Sequence, residues 1–309
     1  MPELRVAARR WAVPAGSNLL DALNAQGCDV PYGCRAGSCH ACKVQCLAGA
    51  PEDARPDALP ARQYAEGWRL ACQCRVVEDL EVMVFDPLLD SLPSRVSACD
   101  WLSPRVLRLR LRAERPLRYQ AGQHLLLWLE QGVARPYSLA SLPGEDASLE
   151  FHLECGQPGA FADGARQLQP GDRVGLGELR GGALHYDPDW HARPLWLLAA
   201  GTGLAPLWGV LREGLRQGHQ GPIRLVHVAA TASEHYLAGP LQALAAQGVQ
   251  VDLVTAEQLP ALLASLRPPS RQTIALVCGS PTRVEAFSKR LFLAGLPRGQ
   301  VLVETFTGA

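Results

Sequence analysis

Cys34-Arg35-Ala36-Gly37-Ser38-Cys39-His40-Ala41-Cys42 is the stretch on which the reading of this chain turns. Its cysteines are spaced C-x4-C-x2-C, and further cysteines stand well downstream at Cys72 and Cys74. A single loop can wrap three thiolates around one side of a flat two-iron rhomb, and the fourth must arrive from elsewhere to close the second iron. Gly33 and Gly37 permit the tight backbone path and leave loop amides free to face the sulfides. The spacing therefore points to a 2Fe-2S cluster. A zinc site is the alternative, but zinc sites usually pair two C-x2-C knuckles, and of this loop only Cys39 and Cys42 have that form. Cys46 and Cys74 are rival ligands. Cys46 follows Cys42 by three residues without the proline of four-iron runs, and Cys74 lies two residues past Cys72, where a strand would put both on one face.

The surrounding composition is that of a globular protein. Thirty basic residues balance thirty acidic ones over 309 residues, so no broad field argues for nucleic acid or an anionic membrane surface. The first residues lack an apolar core of signal-peptide type, and no apolar stretch reaches spanning length, so a cytoplasmic protein without membrane insertion is expected. Ten cysteines in such a chain read as metal ligands and thiols instead of a disulfide framework.

Organisation changes three times along the chain. Short apolar runs at Leu4 to Ala7 and Trp11 to Val13 read as a hairpin, Ser17-Asn18 before Leu19, Leu20 and Leu23 as a helix start, and Asp79 to Val84 as a closing strand. Leu88 to Ser94, flanked by Pro87 and containing Pro93, reads as a linker. Val106 to Leu111, Leu125 to Leu129 and Leu149 to Leu153 are short strands between Gly and Pro turns, as in an antiparallel barrel. From Leu195 onward strands and helices alternate, which implies a parallel sheet covered by helices.

Four further motifs follow in order. Arg135-Pro136-Tyr137-Ser138 offers a cation for a phosphate, a ring to lie against a flavin, and a hydroxyl near its reactive nitrogen. Gly201-Thr202-Gly203-Leu204-Ala205-Pro206, after the apolar run Leu195 to Ala200, is a strand, glycine turn and helix start that presents free amides to a pyrophosphate. Cys278-Gly279-Ser280-Pro281 ends another strand, and Glu304-Thr305-Phe306 stands near the end of the chain. Each alone has a bland counterpart: a surface arginine at a strand end, a structural glycine turn, a buried thiol.

Together these motifs resemble the ferredoxin–NADP reductase superfamily, with its R-x-Y-S, G-T-G-x-A-P, C-G-x-P and terminal E-x-F segments. Tyr32-Gly33-Cys34-Arg35 and Leu70-Ala71-Cys72-Gln73 resemble the ligand segments of plant-type ferredoxins, which selects Cys34, Cys39, Cys42 and Cys72 as the cluster ligands. The whole chain is similar to reductase components of bacterial oxygenases and to related deoxysugar reductases. That resemblance implies three domains: an α+β ferredoxin (β-grasp) domain over 1–88, an antiparallel β-barrel FAD-binding domain over 95–190, and an α/β parallel-sheet NAD-binding domain over 191–309.

The resemblance also implies roles. Arg135, Tyr137 and Ser138 would hold FAD, and Gly201, Thr202, Gly203, Pro206 and Gly279 the dinucleotide. Cys278, Ser138, Glu304 and Phe306 would complete the place where flavin and nicotinamide meet. The family's G-x-x-S phosphate segment falls at Gly159-Ala160-Phe161-Ala162, so Ala162 replaces the serine, and Asp163 adds a negative charge beside it. No lysine or arginine occurs from Leu225 through Leu266, and Glu234 sits where a ribose hydroxyl would be bound, so NADH is expected over NADPH. The expected acceptor is a redox protein such as an oxygenase component, reached by a monomer. A desaturase or deoxysugar enzyme is the alternative acceptor, and a redox-sensing module with a degenerate flavin site the alternative class.

Overall fold

The computed structural model describes residues 1–32, 35–37, 40–86, 90–130, 132–181 and 183–306. Of the residues singled out above, Gly33, Cys34, Ser38, Cys39, Pro87 and Leu88 lie outside the described residues. The chain divides into two compact units, one of Met1–Ser91 with Leu126–Pro136, the other of Leu92–Leu125 with Tyr137 onward.

In the first unit, β1 (Glu3–Val6) and β2 (Arg9–Ala12) form the expected hairpin, displaced by a residue or two because Ala7 enters the turn at φ 52°. A two-residue strand β3 (Ser17–Asn18) leads into helix α1 (Leu19–Asn24). Asn18 caps that helix, its side-chain oxygen accepting from the Asp21 N–H at 3.3 Å. Leu19, Leu20 and Leu23 fall on one face and are fully buried with Leu4, Val44 and Val76. Each such leucine contributes about 1.5–3 kcal/mol of transfer free energy.

Strands β4 (Lys43–Ala48), β5 (Glu52–Asp53), helix α2 (Ala61–Ala65) and strands β6 (Trp68–Leu70), β7 (Cys74–Val76) and β8 (Leu80–Val84) complete it. The main sheet has the order β2-β1-β8-β4-β6, with β8 parallel to β1 and antiparallel to β4, and a small sheet pairs β3, β7 and β5.

The second unit opens on β9 (Leu92–Trp101), so the linker expected over Leu88 to Ser94 is shorter than expected. Pro93 is tolerated inside a strand because it lies next to the strand's first residue, where a missing N–H costs little. Then come β10 (Val106–Ala113), β11 (His124–Trp128), β12 (Ala134–Ser138), β13 (Leu149–Glu154), helix α3 (Ala160–Ala165) and β14 (Arg173–Arg180). They build a six-stranded sheet of order β12-β11-β14-β9-β10-β13. β10 is antiparallel to both neighbours, its alternating leucines inward and its arginines outward.

A parallel sheet follows, of order β17-β16-β15-β18-β19. Its members are β15 (Leu195–Ala200), β16 (Ile223–Ala229), β17 (Gln250–Thr255), β18 (Ile274–Gly279) and β19 (Val301–Thr305). The helices between them are α4 (Leu204–Arg216), α5 (Ala238–Ala245), α6 (Leu259–Ser265) and α7 (Pro281–Leu293). β15 and β18 are buried almost end to end, as parallel strands covered on both faces must be. Among the described residues no helix is long and apolar enough to cross a membrane.

Candidate active site and cluster site

Two of the four proposed ligands are described, and the chain brings them together. Cys42 is buried at the end of the loop, just before β4, and Cys72 is half-buried in the one-turn 3-10 helix Ala71–Gln73. The Cys72 backbone N–H points at Cys42 Sγ at 3.5 Å, and the Ala71 N–H donates to the Cys42 carbonyl at 3.0 Å. Asn18, the cap of α1, donates from its side-chain amide to the Cys72 carbonyl at 3.0 Å. Two thiols on neighbouring segments, each with an N–H turned toward its sulfur, are a donor set that fits an iron–sulfur cluster.

The expectation that Cys72 and Cys74 would share a face does not hold. The 3-10 turn separates them, and Cys74 begins β7 fully buried in the apolar core. Burial pushes its thiol far above the ordinary range, with Asp53 adding to the effect. Cys46 likewise is raised to about 11, chiefly by burial. Cys74 thus packs as a core side chain.

In the second unit three strands converge. Ser138 ends β12, Cys278 lies near the end of β18, and Glu304 stands opposite Cys278 in the register of β19. The Ser138 hydroxyl donates to Glu304 Oε1 at 3.4 Å, and Glu304 Oε2 is buried without a partner. Burial raises the Glu304 carboxyl to about 7, the Ser138 hydrogen bond opposing. The same burial, with Glu304 close by, drives the Cys278 thiol far up, so it stays neutral. The Phe306 N–H donates to the Gly279 carbonyl at 2.8 Å, which fixes the chain end beside the C-G-x-P segment.

The glycine turn touches this segment directly. A Cβ on Gly203 would lie 2.3 Å from the Cys278 carbonyl oxygen, and one on Gly279, at φ +149°, would lie 2.8 Å from the Ala200 Cβ. The G-T-G and C-G motifs thus pack backbone on backbone, the close approach that only glycine allows. Gly201 to Gly203 form a 3-10 turn that runs straight into α4, whose Pro206 occupies the first turn, where no N–H is needed. Glu234 lies half-buried in the turn after β16.

Arg135 donates back to the Ala134 carbonyl at 2.8 Å. The Tyr137 ring lies 5.0 Å from that of Phe161. Near Ala162 the negative charge anticipated from the sequence is partly spent locally. Asp163 accepts from the Gly159 N–H at 3.2 Å and from the Arg166 guanidinium, so one of the amides at this turn is already engaged.

Sequence reasoning missed His124. It follows Gly122-Gln123 at the start of β11, its Nδ1 buried and 3.8 Å from Glu304 Oε1, and burial together with the Arg180 charge lowers it to about 4. A lone histidine before an apolar run carries no signal. Also missed was the pair His227 and His235. His227 Nε2 lies 3.2 Å from the Gly201 carbonyl, which can only accept, so the proton sits on Nε2. Its bare Nδ1 then accepts from His235 Nδ1 at 3.3 Å, a brace behind the glycine turn.

A 2Fe-2S iron-sulfur cluster binding domain matches residues 7–77, and an oxidoreductase NAD-binding domain matches 197–261. The reductase subunit of an aromatic O-demethylase from Amycolatopsis is 32% identical over 98% of this chain and 98% of its own. The ferredoxin–NAD(+) reductase component of the alkene monooxygenase system of Xanthobacter autotrophicus is 32% identical over 93% and 89%. The chain belongs to the family of oxygenase reductase components. Among solved structures, this reductase is similar to the Amycolatopsis cytochrome P450 reductase GcoB, with TM-score 0.65 and 28% identity over 100% of this chain and 99% of that one. The reductase is therefore a nicotinamide-dependent oxidoreductase with an iron–sulfur domain ahead of its reductase fold.

Proposed function

We propose that the protein takes electrons from NADH onto FAD, passes them singly to a 2Fe-2S cluster on Cys34, Cys39, Cys42 and Cys72, and delivers them as a monomer to an oxygenase component. The domains are those of the sequence reading, 1–88, 95–190 and 191–309. The observation that carries this reading is the convergence of Ser138, Cys278 and Glu304 from three strands of two sheets beside the Gly201–Gly203 turn.

Bound FAD would supply the conversion of a two-electron donation into two one-electron deliveries. The residues do the rest. Gly201, Thr202 and Gly203 offer backbone N–H groups to the dinucleotide pyrophosphate, and Glu234 accepts from a ribose hydroxyl and repels a 2'-phosphate. Cys278 and Phe306 shape the wall where the two rings meet. Ser138 and Glu304, joined by their hydrogen bond, would hold a proton for a bound flavin, Glu304 being raised to about 7 and so able to take or return it. Arg135 would pair with a flavin phosphate and Tyr137 would offer its ring to the flavin, while Ala162 would offer no hydroxyl to the pyrophosphate.

An anaerobic absorption spectrum before and after NADH, repeated with NADPH, tests the reading. NADH is expected to bleach both flavin and cluster bands, with NADPH at least tenfold less efficient, the size of discrimination a single unpaired charge imposes (~1.4 kcal/mol). A protein without flavin or cluster absorption defeats it.

A further inference from the structure

The side chain that follows Cys72 has the geometry of a clamp. Gln73 Nε2 donates to Cys72 Sγ at 3.2 Å and to the Arg35 carbonyl at 2.8 Å, so one carboxamide bridges the Cys72 sulfur and the cysteine loop. Its backbone carbonyl is itself held by the Ala54 N–H at 3.0 Å, which keeps the residue from swinging away. Gly37, at φ +77°, passes over the same side chain, where a Cβ would come within 3.3 Å of Gln73 Cγ. Gly37 thus packs closely over Gln73, and its positive φ favours glycine there.

Reduction of a cluster adds negative charge that spreads onto its ligand sulfurs. An N–H aimed at one of those sulfurs stabilises the reduced form more than the oxidised form and raises the potential. A half-buried site strengthens the effect, because water competes less for the sulfur. The second N–H of Gln73 holds the carbonyl of Arg35, fixing the loop and keeping the first N–H on target.

We propose that Gln73 is a positioning residue for the cluster, its carboxamide tying Cys72 Sγ to the Arg35 carbonyl and so raising the reduction potential. This rests on Cys72 being a ligand.

The test is an anaerobic redox titration of the full-length holoprotein followed by electron paramagnetic resonance. Gln73→Leu keeps the volume and removes both donors. It is expected to retain its iron and sulfide and its NADH-driven flavin bleaching, while the equilibrium constant for cluster reduction falls about tenfold, or about 59 mV for one electron. Gln73→Glu, which adds a negative charge beside the sulfur, is expected to fall further. Unchanged midpoints in both variants at full iron content overturn the proposal, and so does loss of the cluster from both, which makes Gln73 merely structural. Cys72→Ala, run in parallel, separates the two assignments. A cluster retained there defeats the ligand assignment, whereas a cluster lost there with an unmoved Gln73→Leu midpoint defeats this inference alone.

Discussion

Single residues divide here by how deeply the fold buries them. Cys72 is half-buried with N–H groups around it, whereas Cys74 is sealed in the core. Cys72→Ala is expected to abolish cluster absorbance while NADH still bleaches the flavin. Cys74→Ala is expected to keep the cluster and lower unfolding stability by about 1–3 kcal/mol, roughly what a small core cavity costs. Iron content and a urea titration check the pair. Glu304 gives a pH signature. Its folded value is about 7 against an ordinary 4.5, so in the flavin-free protein its contribution is fully present below about pH 4 and declines as pH rises, levelling past about 7. The full span is about 3 kcal/mol. Glu304→Gln should therefore be more stable than the wild type at pH 8 and no different near pH 4, as denaturant unfolding at the two pH values will show. The 2Fe-2S domain was legible in the sequence because cysteine spacing is dictated by the cluster it serves. His124, Gln73 and the His227–His235 brace were not, since their meaning lies in folded contacts that no local pattern marks.

At the level of elements, the strands and helices of the parallel sheet were readable because a buried parallel strand is a continuous apolar run. Helix α4 starts at Leu204, two residues before Pro206, since the 3-10 turn feeds directly into it. β19 was not recognised as a strand. Its five residues are only partly buried at the sheet edge, and nothing in Val301-Leu302-Val303 shows the partner that gives them their register. The contact between the glycine turn and the end of β18 yields a sharp expectation. Gly203→Ala must move backbone, because its Cβ would meet the Cys278 carbonyl at 2.3 Å. KM for NADH should rise on the order of 10-fold or more, displacement of a positioning element being costly. Steady-state kinetics at saturating acceptor measure it. On the proposed reading, helix α3 brings Ala162 in place of a serine to the flavin pyrophosphate. Ala162→Ser restores a hydroxyl and is expected to tighten FAD several-fold, by roughly 1 kcal/mol for one hydrogen bond, measured by flavin release on dilution.

For the molecule as a whole, the division into units does not follow the order of the chain. Phe85, past the end of β8, stacks on Trp128 with ring centroids 5.1 Å apart, and Trp128 is 4% exposed. Both belong to the unit that carries Cys42 and Cys72, although Trp128 stands after the start of the six-stranded sheet. Trp128→Ala is expected to lower the thermal midpoint read from cluster absorbance, with a cost of about 3 kcal/mol, and a loss confined to the NAD-dependent flavin signal would contradict this. Within the second unit, Arg212 on α4 grips Asp146 with both nitrogens, at 2.6 and 3.0 Å. That joins the loop before β13 to the nucleotide-side helix by a bidentate pair. The stacked rings bear on how such proteins are recombined. Cutting at residue 91 and joining the front piece to another reductase would leave Phe85 facing whatever that reductase carries in place of Trp128. For this chain, an exchange at that cut is therefore limited by one aromatic partner that stands beyond it in the sequence, and a working chimera must keep Phe85 and Trp128 together.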